Sequence, residues 1–310
     1  MNILITGVLG HIGSSVLADI SKIKKLKYVY LIDSARSNNL NILFKLKNKD
    51  KKTKIKFIEG DLLENKVLNK VKHKIDVVIH LASITNAEAS FKFKKLIYSN
   101  NFGIFKKIVN FCIKKRAKLI HFSSTSVYGS RSSLVDEDSK FLSPQSPYAD
   151  IKLFEEKYLK IRKKKIRYIS LRLGTITGIS KGMRFHTAVN KFCFKTILRE
   201  EVPVWNNAID QYRPYLSLTD LKKVLFYIIN NNIFDKKIYN VLTKNYTVRQ
   251  VLKMIKDNNF KIKIKKTQSP MLNQNSYKVS NKKIKKFKIS FSNDIKNDIR
   301  ETLGLIKNLY

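Results

Sequence analysis

Residues 2–13 have the sequence NILITGVLGHIG, and this stretch decides the fold. Asn2–Thr6 is a short apolar run typical of a strand, and glycines follow at positions 7, 10 and 13, where a helical apolar pattern begins. Only ten glycines occur in the whole chain. Glycines at this spacing let the chain turn tightly and let its backbone approach a pyrophosphate. The motif predicts a dinucleotide site, the alternative being an ordinary strand-to-helix turn.

Further strand-like runs alternate with helical patterns through the first two thirds of the chain. This alternation is typical of a parallel sheet covered on both faces. We predict a Rossmann-like, doubly wound α/β fold with a ligand crevice at the carboxyl ends of its strands. The predicted strands are Asn2–Thr6, Tyr28–Asp33, Ile55–Glu59, Asp76–His80, Leu119–Ser123 and Arg167–Leu171, and the predicted helices between them include Ile12–Lys24, Ser99–Lys115 and Tyr148–Lys163.

The alternation weakens after residue 172, where turn-rich segments become frequent. We therefore assign residues 1–172 to a dinucleotide-binding domain and residues 173–310 mainly to a smaller substrate-binding part, with a segment near 215–240 returning to the first domain. No Gly/Ser-rich linker separates the two, so we expect them to be interwoven. The further elements predicted are helices over Ala188–Glu200 and Leu218–Asn230, and edge strands or solvated loops over the lysine runs Lys261–Lys266 and Lys282–Lys288.

The charge of the chain is strongly positive, with 63 basic and 23 acidic residues and a formal net charge of +40. Such an excess suggests nucleic acid or an anionic membrane as a partner. However, 52 of the basic residues are Lys and 11 are Arg, whereas base edges and phosphates are recognised best by Arg. Lys, Ile, Asn, Phe and Tyr are all abundant and have A/T-rich codons, so gene composition explains the excess equally well. We predict no nucleic-acid partner.

The composition also bounds the class and compartment of the protein. Of the 310 residues, 43% are apolar, which is enough for a large core. No apolar run approaches the ~20 residues of a membrane span, and the sequence starts without a charged leader, so we expect a cytoplasmic protein with no membrane partner. Cys112 and Cys193 lie in separate apolar stretches without metal-ligand spacing. We predict two buried thiols and no metal site.

Acidic residues after the second and third strands bear on the choice of cofactor. Asp33 ends the second strand, twenty residues after Gly13. A carboxylate there can hold the ribose hydroxyls of NAD and repel the 2′-phosphate of NADP. Arg36 weakens this preference, because its guanidinium could pair with that phosphate. Asp61 is either an adenine-side acid or a turn-capping residue. We predict NAD.

A tyrosine and a lysine four residues apart open the predicted helix after Pro147. Tyr148 and Lys152 therefore share one helix face. A tyrosine with a reference pKa near ~10 is a poor base at neutral pH unless a cation stabilises its phenolate, which Lys152 and an oxidised nicotinamide would do. The segment HFSSTSVYG ends the fifth strand and brings Ser124 to the same crevice, where its hydroxyl could polarise a substrate oxygen. An isolated Tyr-x-x-x-Lys pair would instead be a surface feature.

Taken together, these motifs resemble those of the extended short-chain dehydrogenase/reductase family, in its nucleotide-sugar epimerase/dehydratase branch. The matching segments span essentially the whole chain: TGVLGHIG, GDLLE, VVIHLAS, Asn101-Phe102-Gly103, HFSSTSVYG, YADIK, LRLGTITG and RPYLSLTDL. The resemblance implies Ser124, Tyr148 and Lys152 as the catalytic set. It also implies a nucleotide-diphosphate sugar as substrate, with Arg213 and Asn190 at the diphosphate.

The resemblance implies further contacts, for some of which other roles are open. The side chain of His11 is expected at the surface and His80 is expected to pack at its strand end, while Asn101 could stabilise its helix rather than touch a ligand. The predicted cofactor contacts are Gly7, Gly10, His11, Ile12, Gly13, Asp33, Asp61, Leu62, Leu81, Ala82, Asn101, Tyr148 and Lys152, and the predicted substrate contacts are Ser124, Thr125, Asn190 and Arg213.

The reaction is suggested by departures from the family pattern. The family's 4,6-dehydratases carry an acidic pair after the catalytic hydroxyl residue, where this chain has Thr125 and Ser126, and decarboxylating relatives place Glu where Ser126 stands. Without these carboxylates we predict reversible hydride transfer, most simply C4 epimerisation of a nucleotide-diphosphate sugar. A 4-ketosugar reductase using NAD(P)H, or an RNA-binding protein on the same fold, are the alternatives. Thr175 replaces an Asn that is common at this point in 4-epimerases. The identity of the sugar and the carbon that is epimerised are therefore left open.

The resemblance also implies a homodimer with a four-helix interface formed by Ser99–Lys115 and Tyr148–Lys163. The second helix presents Ile151, Phe154, Tyr158 and Ile161 at helical spacing. We expect these side chains to meet a second copy of the chain. The alternative is that they face the sheet.

Overall fold

The computed structural model describes residues 1–36, 39–44, 53–85, 91–130, 133–268 and 277–308. Short strands and helices alternate through the first half. The strands are β1 (Asn2–Thr6), β2 (Tyr28–Asp33), β3 (Lys54–Glu59), β4 (Val77–His80), β5 (Lys118–Ser124), β6 (Leu134–Val135), β7 (Tyr168–Leu173), β8 (Thr175–Thr177), β9 (Glu201–Trp205), β10 (Tyr212–Ser217), β11 (Ile238–Val241), β12 (Lys244–Thr247), β13 (Lys263–Thr267) and β14 (Lys278–Val279). The helices are α1 (His11–Ala18), α2 (Asn41–Phe44), α3 (Asn65–Asn69), α4 (Lys94–Ile97), α5 (Gly103–Lys115), α6 (Pro147–Ile161), α7 (Ala188–Ile197), α8 (Leu218–Asn230), α9 (Val248–Lys256), α10 (Lys282–Lys285) and α11 (Lys296–Lys307).

A seven-stranded sheet forms the centre, in the order β11-β7-β5-β4-β1-β2-β3, and every neighbouring pair is parallel. The six predicted strands are all present, with ends within two residues of the prediction. The predicted Rossmann-like fold is therefore confirmed. The seventh strand, β11, was not predicted as a strand and lies in the segment expected to return to the sheet.

The strand order explains where a ligand can bind. From β1 the chain moves outward to β2 and β3, then crosses to the other side of β1 for β4, β5, β7 and β11. The loops that leave β1 and β4 therefore diverge and open a crevice at the carboxyl edge of the sheet. Thr6 at the end of β1 pairs in register with both Ile32 and His80, so these strands end at the same level.

Helices cover both faces of the sheet. α1 and α8 share one apolar core with β1, through buried side chains such as Leu17 and Leu225, while α5 covers the opposite face with Phe105 and Ile108. α1 is shorter than predicted and ends at Ala18, because the Asp19 N–H bonds back to the Val16 carbonyl and tightens the last turn.

The predicted helix Ser99–Lys115 is divided into two parts. A π-helical turn over Tyr98–Phe102 precedes α5 and carries the buried side chains of Asn100 and Asn101. A widened turn of this kind redirects side chains and often accompanies a functional site.

The substrate-binding part has its own apolar core between α7, α9 and α11. Cys193 lies in this core and Cys112 lies under the central sheet; both are fully buried, as predicted. The first lysine run forms the edge strand β13, which pairs with β9. The second run forms the short helix α10, because Ile284 inserts into the main core and fixes the turn there. β11 lies in the central sheet and α8 packs against it, although both follow residue 172. The division of the chain into two parts at residue 172 stays a prediction.

Candidate active site

A cavity of about 830 Å³ opens between the carboxyl edge of the sheet and the substrate-binding part. All the predicted contact residues lie on its wall except Asn101 and Asn190. The wall is built from the loops after β1, β2, β3, β4 and β5, from the start of α6, and from the loop before α7. The sequence motifs therefore converge on one space.

The three glycines of the first loop serve different purposes. A Cβ on Gly7 would lie 2.5 Å from the Ala82 nitrogen, and one on Gly13 would lie 2.4 Å from the Gly7 oxygen, so the protein's own packing requires both glycines. A Cβ on Gly10 would meet its nearest atom, the Gly7 oxygen, only at 3.4 Å. Gly10 is the N-cap of α1 and faces the cavity, so its missing side chain leaves a cradle at a helix N-terminus that fits a pyrophosphate.

The two acidic residues of the wall lie at the ends of β2 and β3. The Asp33 carboxylate accepts hydrogen bonds from the Leu9 N–H at 3.0 Å and the Ala35 N–H at 3.1 Å. Asp61 accepts from the Leu63 N–H, so it caps its turn as the alternative proposed, and it also lies on the wall. Its other oxygen accepts from the Arg36 guanidinium at 2.6 Å. Arg36 is therefore already paired with a carboxylate.

Asn101 acts on the loop after β4. Its side-chain oxygen accepts from the Ile84 N–H and its amide donates to the Ile84 carbonyl, both at 2.9 Å. The side chain is buried behind the wall, and its neighbour Asn100 lines the cavity instead. Asn101 thus holds the loop that follows Leu81 and Ala82, and its side chain does not line the cavity; its contact with the cofactor stays a prediction.

Ser124, Tyr148 and Lys152 meet on one side of the cavity. Ser146 caps the N-terminus of α6 and Pro147 opens it, which places Tyr148 and Lys152 one turn apart. The Lys152 ammonium lies 5.8 Å from the centre of the Tyr148 ring. Burial raises the pKa of Tyr148 above its usual value, although Lys152 acts to lower it. The expected effect of Lys152 on the phenol is present but smaller than that of burial.

The hydroxyl residues after β5 differ in what they can offer. Ser124 accepts hydrogen bonds from the N–H of Ser126 at 3.2 Å and from its hydroxyl at 2.8 Å. Both lone pairs of the Ser124 oxygen are then occupied, and its own hydrogen is left to donate. Thr125 donates to the Leu173 carbonyl at 3.1 Å. Its predicted contact with a substrate therefore cannot use a free hydroxyl proton in this arrangement.

Two buried carboxylates lie behind Lys152, and the sequence interpretation missed both. Glu155 accepts hydrogen bonds from Lys152 at 2.8 Å and from His121 at 2.9 Å. Glu156 accepts from Arg172 through both oxygens. The signal available in the sequence was a pair of adjacent acids that begins three residues after Lys152, in a chain with only 23 acidic residues.

Positive side chains from distant segments line another part of the wall. Arg213 on β10 lines the wall and donates to the Tyr212 carbonyl and the Gln211 side chain. Arg184 and Lys191 also line it, and neither was singled out from the sequence. Arg184 donates to the Thr85 hydroxyl at 3.1 Å, and its Nη2 atom lies 3.7 Å from the place of a Cβ on Gly10.

Asn190 is fully buried and does not reach the wall. Its amide donates to the Arg184 carbonyl at 3.1 Å, while its oxygen has no hydrogen-bond partner among the described residues. Asn190 thus holds the backbone that carries Arg184, and its contact with a diphosphate stays a prediction. The sequence could not show this, because the side of α7 that faces inward depends on the packing of the substrate-binding part.

His11 is also buried, so the prediction of a surface side chain is wrong. Its Nε2 atom pairs with the Gly178 carbonyl at 3.0 Å, and burial lowers its pKa to about 4. The nearby Gly182 N–H donates to the Ser14 hydroxyl at 2.9 Å, and a Cβ on Gly182 would lie 2.4 Å from the Leu9 oxygen. The segment between residues 178 and 184 is therefore packed directly on the glycine loop. His80, as predicted, packs at its strand end, where it pairs with Thr6.

The doubly wound sheet and its glycine-lined cavity place the chain among the Rossmann-like α/β proteins. Residues 3–241 match the model of the NAD dependent epimerase/dehydratase family, and the chain belongs to that family. NAD is accordingly its cofactor, as predicted. The family description covers both epimerases and dehydratases.

Individual relatives show the same range. The chain is 30% identical over 198 residues to a Bacillus subtilis protein named as an uncharacterized UDP-glucose epimerase. The match covers 62% of this chain and 62% of that relative. It is 31% identical over 165 residues to a dTDP-D-glucose 4,6-dehydratase of Dictyostelium discoideum, covering 47% of this chain and 37% of the relative. The matches thus span less than two thirds of the length of either relative.

Among solved structures, the fold resembles that of UDP-glucuronic acid 4-epimerase from Bacillus cereus, crystallised with UDP-glucuronic acid and NAD. The TM-score is 0.89, with 23% identity and 100% of both chains covered. At this identity the likeness shows the fold. In the described part of this chain, the helices are too short or too polar to cross a membrane.

Proposed function

We propose that this protein epimerises a nucleotide-diphosphate sugar at C4 through a transient ketosugar. One observation carries the proposal: Ser124, Tyr148 and Lys152 line the same cavity as the glycine cradle, while the two positions after Ser124 carry no carboxylate. This set can exchange a proton with a sugar hydroxyl but lacks the acid that elimination of water needs.

The cofactor fits the cofactor half of the cavity. The open space at Gly10 would accept the pyrophosphate of NAD, and Asp33 would accept hydrogen bonds from the adenosine ribose. Arg36 is paired with Asp61, which leaves it less available for the 2′-phosphate of NADP. When bound, NAD supplies the acceptor for the hydride that leaves C4 and returns it afterwards.

The protein's own groups would manage the proton and the oxygen. Tyr148 acts as the phenolate, which the Lys152 ammonium stabilises, and becomes the neutral phenol when it takes the proton of the C4 hydroxyl. Ser124 donates its free hydrogen to the same sugar oxygen and stabilises its growing carbonyl character. After the ketosugar has turned its other face, Tyr148 returns the proton as the C–H bond forms again.

The substrate half fits a diphosphate. Arg184, Lys191 and Arg213 line it, and the carboxylates of the described wall, Asp33 and Asp61, come from the loops after β2 and β3. Positive side chains attract and orient phosphate groups. Since Thr175 is also on the wall where many 4-epimerases carry Asn, the identity of the sugar is left to experiment.

A screen of UDP-, GDP-, CDP- and dTDP-sugars with NAD-loaded protein tests this function. We expect a C4 epimer of one of them, formed without net use of NAD. A 4-keto-6-deoxy product would make the protein a dehydratase, and stoichiometric oxidation of NADH or NADPH by a ketosugar would make it a reductase. Salt-dependent retention of RNA with no turnover would favour the RNA-binding alternative.

A further inference from the structure

The mechanism above does not use Glu155, although this carboxylate lies at the centre of a buried cluster. Its Oε2 atom accepts from Lys152 at 2.8 Å and from His121 Nε2 at 2.9 Å, and His121 Nδ1 pairs with the Ser170 hydroxyl at 2.8 Å. Glu155 and His121 are 2% and 1% exposed. Burying a carboxylate costs free energy of desolvation unless it is paired with a cation or with hydrogen-bond donors. Lys152 and His121 are the partners that offset this cost for Glu155.

We propose that Glu155 is a positioning residue, which anchors the Lys152 ammonium beside Tyr148 and is itself held by His121. The inference rests on the proposed function, in which Tyr148 is the base. The elements fix the geometry: Lys152 and Glu155 are one turn apart on α6, His121 is on β5 and Ser170 is on β7. The chain of contacts therefore connects the interior of the sheet to the reacting side of the cavity.

The anchor has an electrostatic consequence. The ammonium of Lys152 stabilises two anions, the Glu155 carboxylate and the phenolate of Tyr148. Burial alone would lower the pKa of Lys152, but Glu155 and Tyr148 raise it above its usual value. Burial would raise the pKa of Glu155, yet Lys152 and His121 hold it below its usual value. The pair is thus ionised, and the carboxylate works against ionisation of Tyr148.

The other charged neighbours do not replace this effect. His80 stays neutral, because burial lowers its pKa to about 3. Glu156 is committed to Arg172 and the Ser123 hydroxyl. Among the described residues, the titratable groups that interact with Glu155 are Tyr148 and Lys152 on α6, His121 on β5 and His80 on β4, while Glu156 acts on Lys152.

The test is a pH titration of Tyr148 in the NAD-loaded protein, followed by tyrosinate absorbance. The chain has 14 tyrosines, so each variant is also titrated with Tyr148→Phe added, and the difference belongs to Tyr148. We expect Glu155→Gln to lower the midpoint by about one pH unit, since a nearby buried charge of like sign is removed. Glu155→Asp keeps the charge but draws the Lys152 ammonium back from the phenol, so its midpoint should rise above that of the wild type.

Glu156→Gln is the matched control, because it removes the same charge one residue further along, where its effect on Lys152 is weaker and no hydrogen bond to Lys152 is lost. Its midpoint should stay close to that of the wild type. An unmoved midpoint in folded Glu155→Gln, or equal shifts in both Gln variants, overturns the proposal. If Glu155→Gln does not fold, a wild-type midpoint in Glu155→Asp overturns it as well. The titration needs no substrate: a shift without turnover refutes only the epimerase function, and turnover without a shift refutes only the positioning role.

Discussion

The two halves of the cavity wall are built in different ways. The cofactor half comes from consecutive strand-to-helix units, with the glycine loop after β1, Asp33 at the end of β2 and Asp61 after β3. The substrate half comes from segments far apart in the chain, such as the loop that carries Arg184 and the strand that carries Arg213. The first half holds the carboxylates of the described wall, with Arg36 paired to one of them, whereas the second contributes Arg184, Lys191 and Arg213.

The difference shows which part of a site local geometry can build. A strand followed by a tight turn and a helix places its residues by spacing alone, because parallel strands end at one edge. A group on a distant loop reaches the same cavity only after a second core has formed beneath it. The variants below test whether the halves also divide the chemistry between cofactor and substrate.

The largest effect is expected at Tyr148, where the two halves meet. Tyr148→Phe keeps the ring and removes the proton-transfer group, so turnover should fall by roughly 10²–10⁴ while NAD stays bound. Turnover is measured by chromatography of the nucleotide sugar, and bound NAD by its release on denaturation. Near-wild-type turnover would contradict the mechanism, but the glycine cradle and Asp33 would still account for the cofactor.

The sequence predicted the local half well and the assembled half poorly. β1 and β2 were located to the residue, because a buried strand bounded by turn residues is visible in a single stretch of chain. Asn190 was expected at the diphosphate but lies behind the wall, and the contact of His121 with Glu155 joins residues 34 positions apart. Periodicity identifies the buried face of a helix, but it does not say which buried polar groups meet.

Arg184 does not fit a strict division between a cofactor half and a substrate half. It belongs to the substrate-binding part, and yet it lies against Gly10. If it binds the cofactor pyrophosphate, Arg184→Ala should weaken NAD binding between about 10- and 100-fold, the range for losing a charged hydrogen bond. Calorimetry on protein stripped of NAD measures this. Lys191→Ala is the control and should weaken only the nucleotide sugar. Unchanged NAD affinity in Arg184→Ala would keep the two halves separate.

Asp33→Ala tests whether the carboxylate in the cofactor half sets the preference for NAD over NADP. The wild type should bind NAD(H) more tightly than NADP(H), and removal of the carboxylate should narrow that difference by about tenfold, because ribose hydrogen bonds and repulsion of the 2′-phosphate are both lost. Competitive binding of the two cofactors gives the ratio. Equal affinities in the wild type would move the assignment towards Arg36 and a reductase.

The smallest expected effect concerns the predicted homodimer, which lies outside both halves. Ile151 is fully buried within the chain, so it cannot belong to the interface, but Phe154 and Ile161 are 46% and 79% exposed and face away from the core. Together with Leu96 on α4 they leave apolar surface uncovered.

Phe154→Lys should therefore halve the mass measured by light scattering at micromolar concentration and moderate salt, with little change in turnover. Phe141→Lys changes an equally apolar side chain that is 78% exposed elsewhere and should leave the mass unchanged. A monomeric wild type would refute the dimer. Loss of activity in the monomeric variant would mean that one chain does not complete the wall.

The central claim, hydride transfer at C4 without elimination, is tested most directly by running the reaction in deuterated water and following the sugar by NMR. Hydride that leaves C4 and returns to the same carbon never exchanges with solvent, while only the hydroxyl proton passes through Tyr148. We expect a C4 epimer with no deuterium at any sugar carbon. A product that carries solvent deuterium on carbon together with the loss of C6 oxygen would contradict it and identify the protein as a dehydratase.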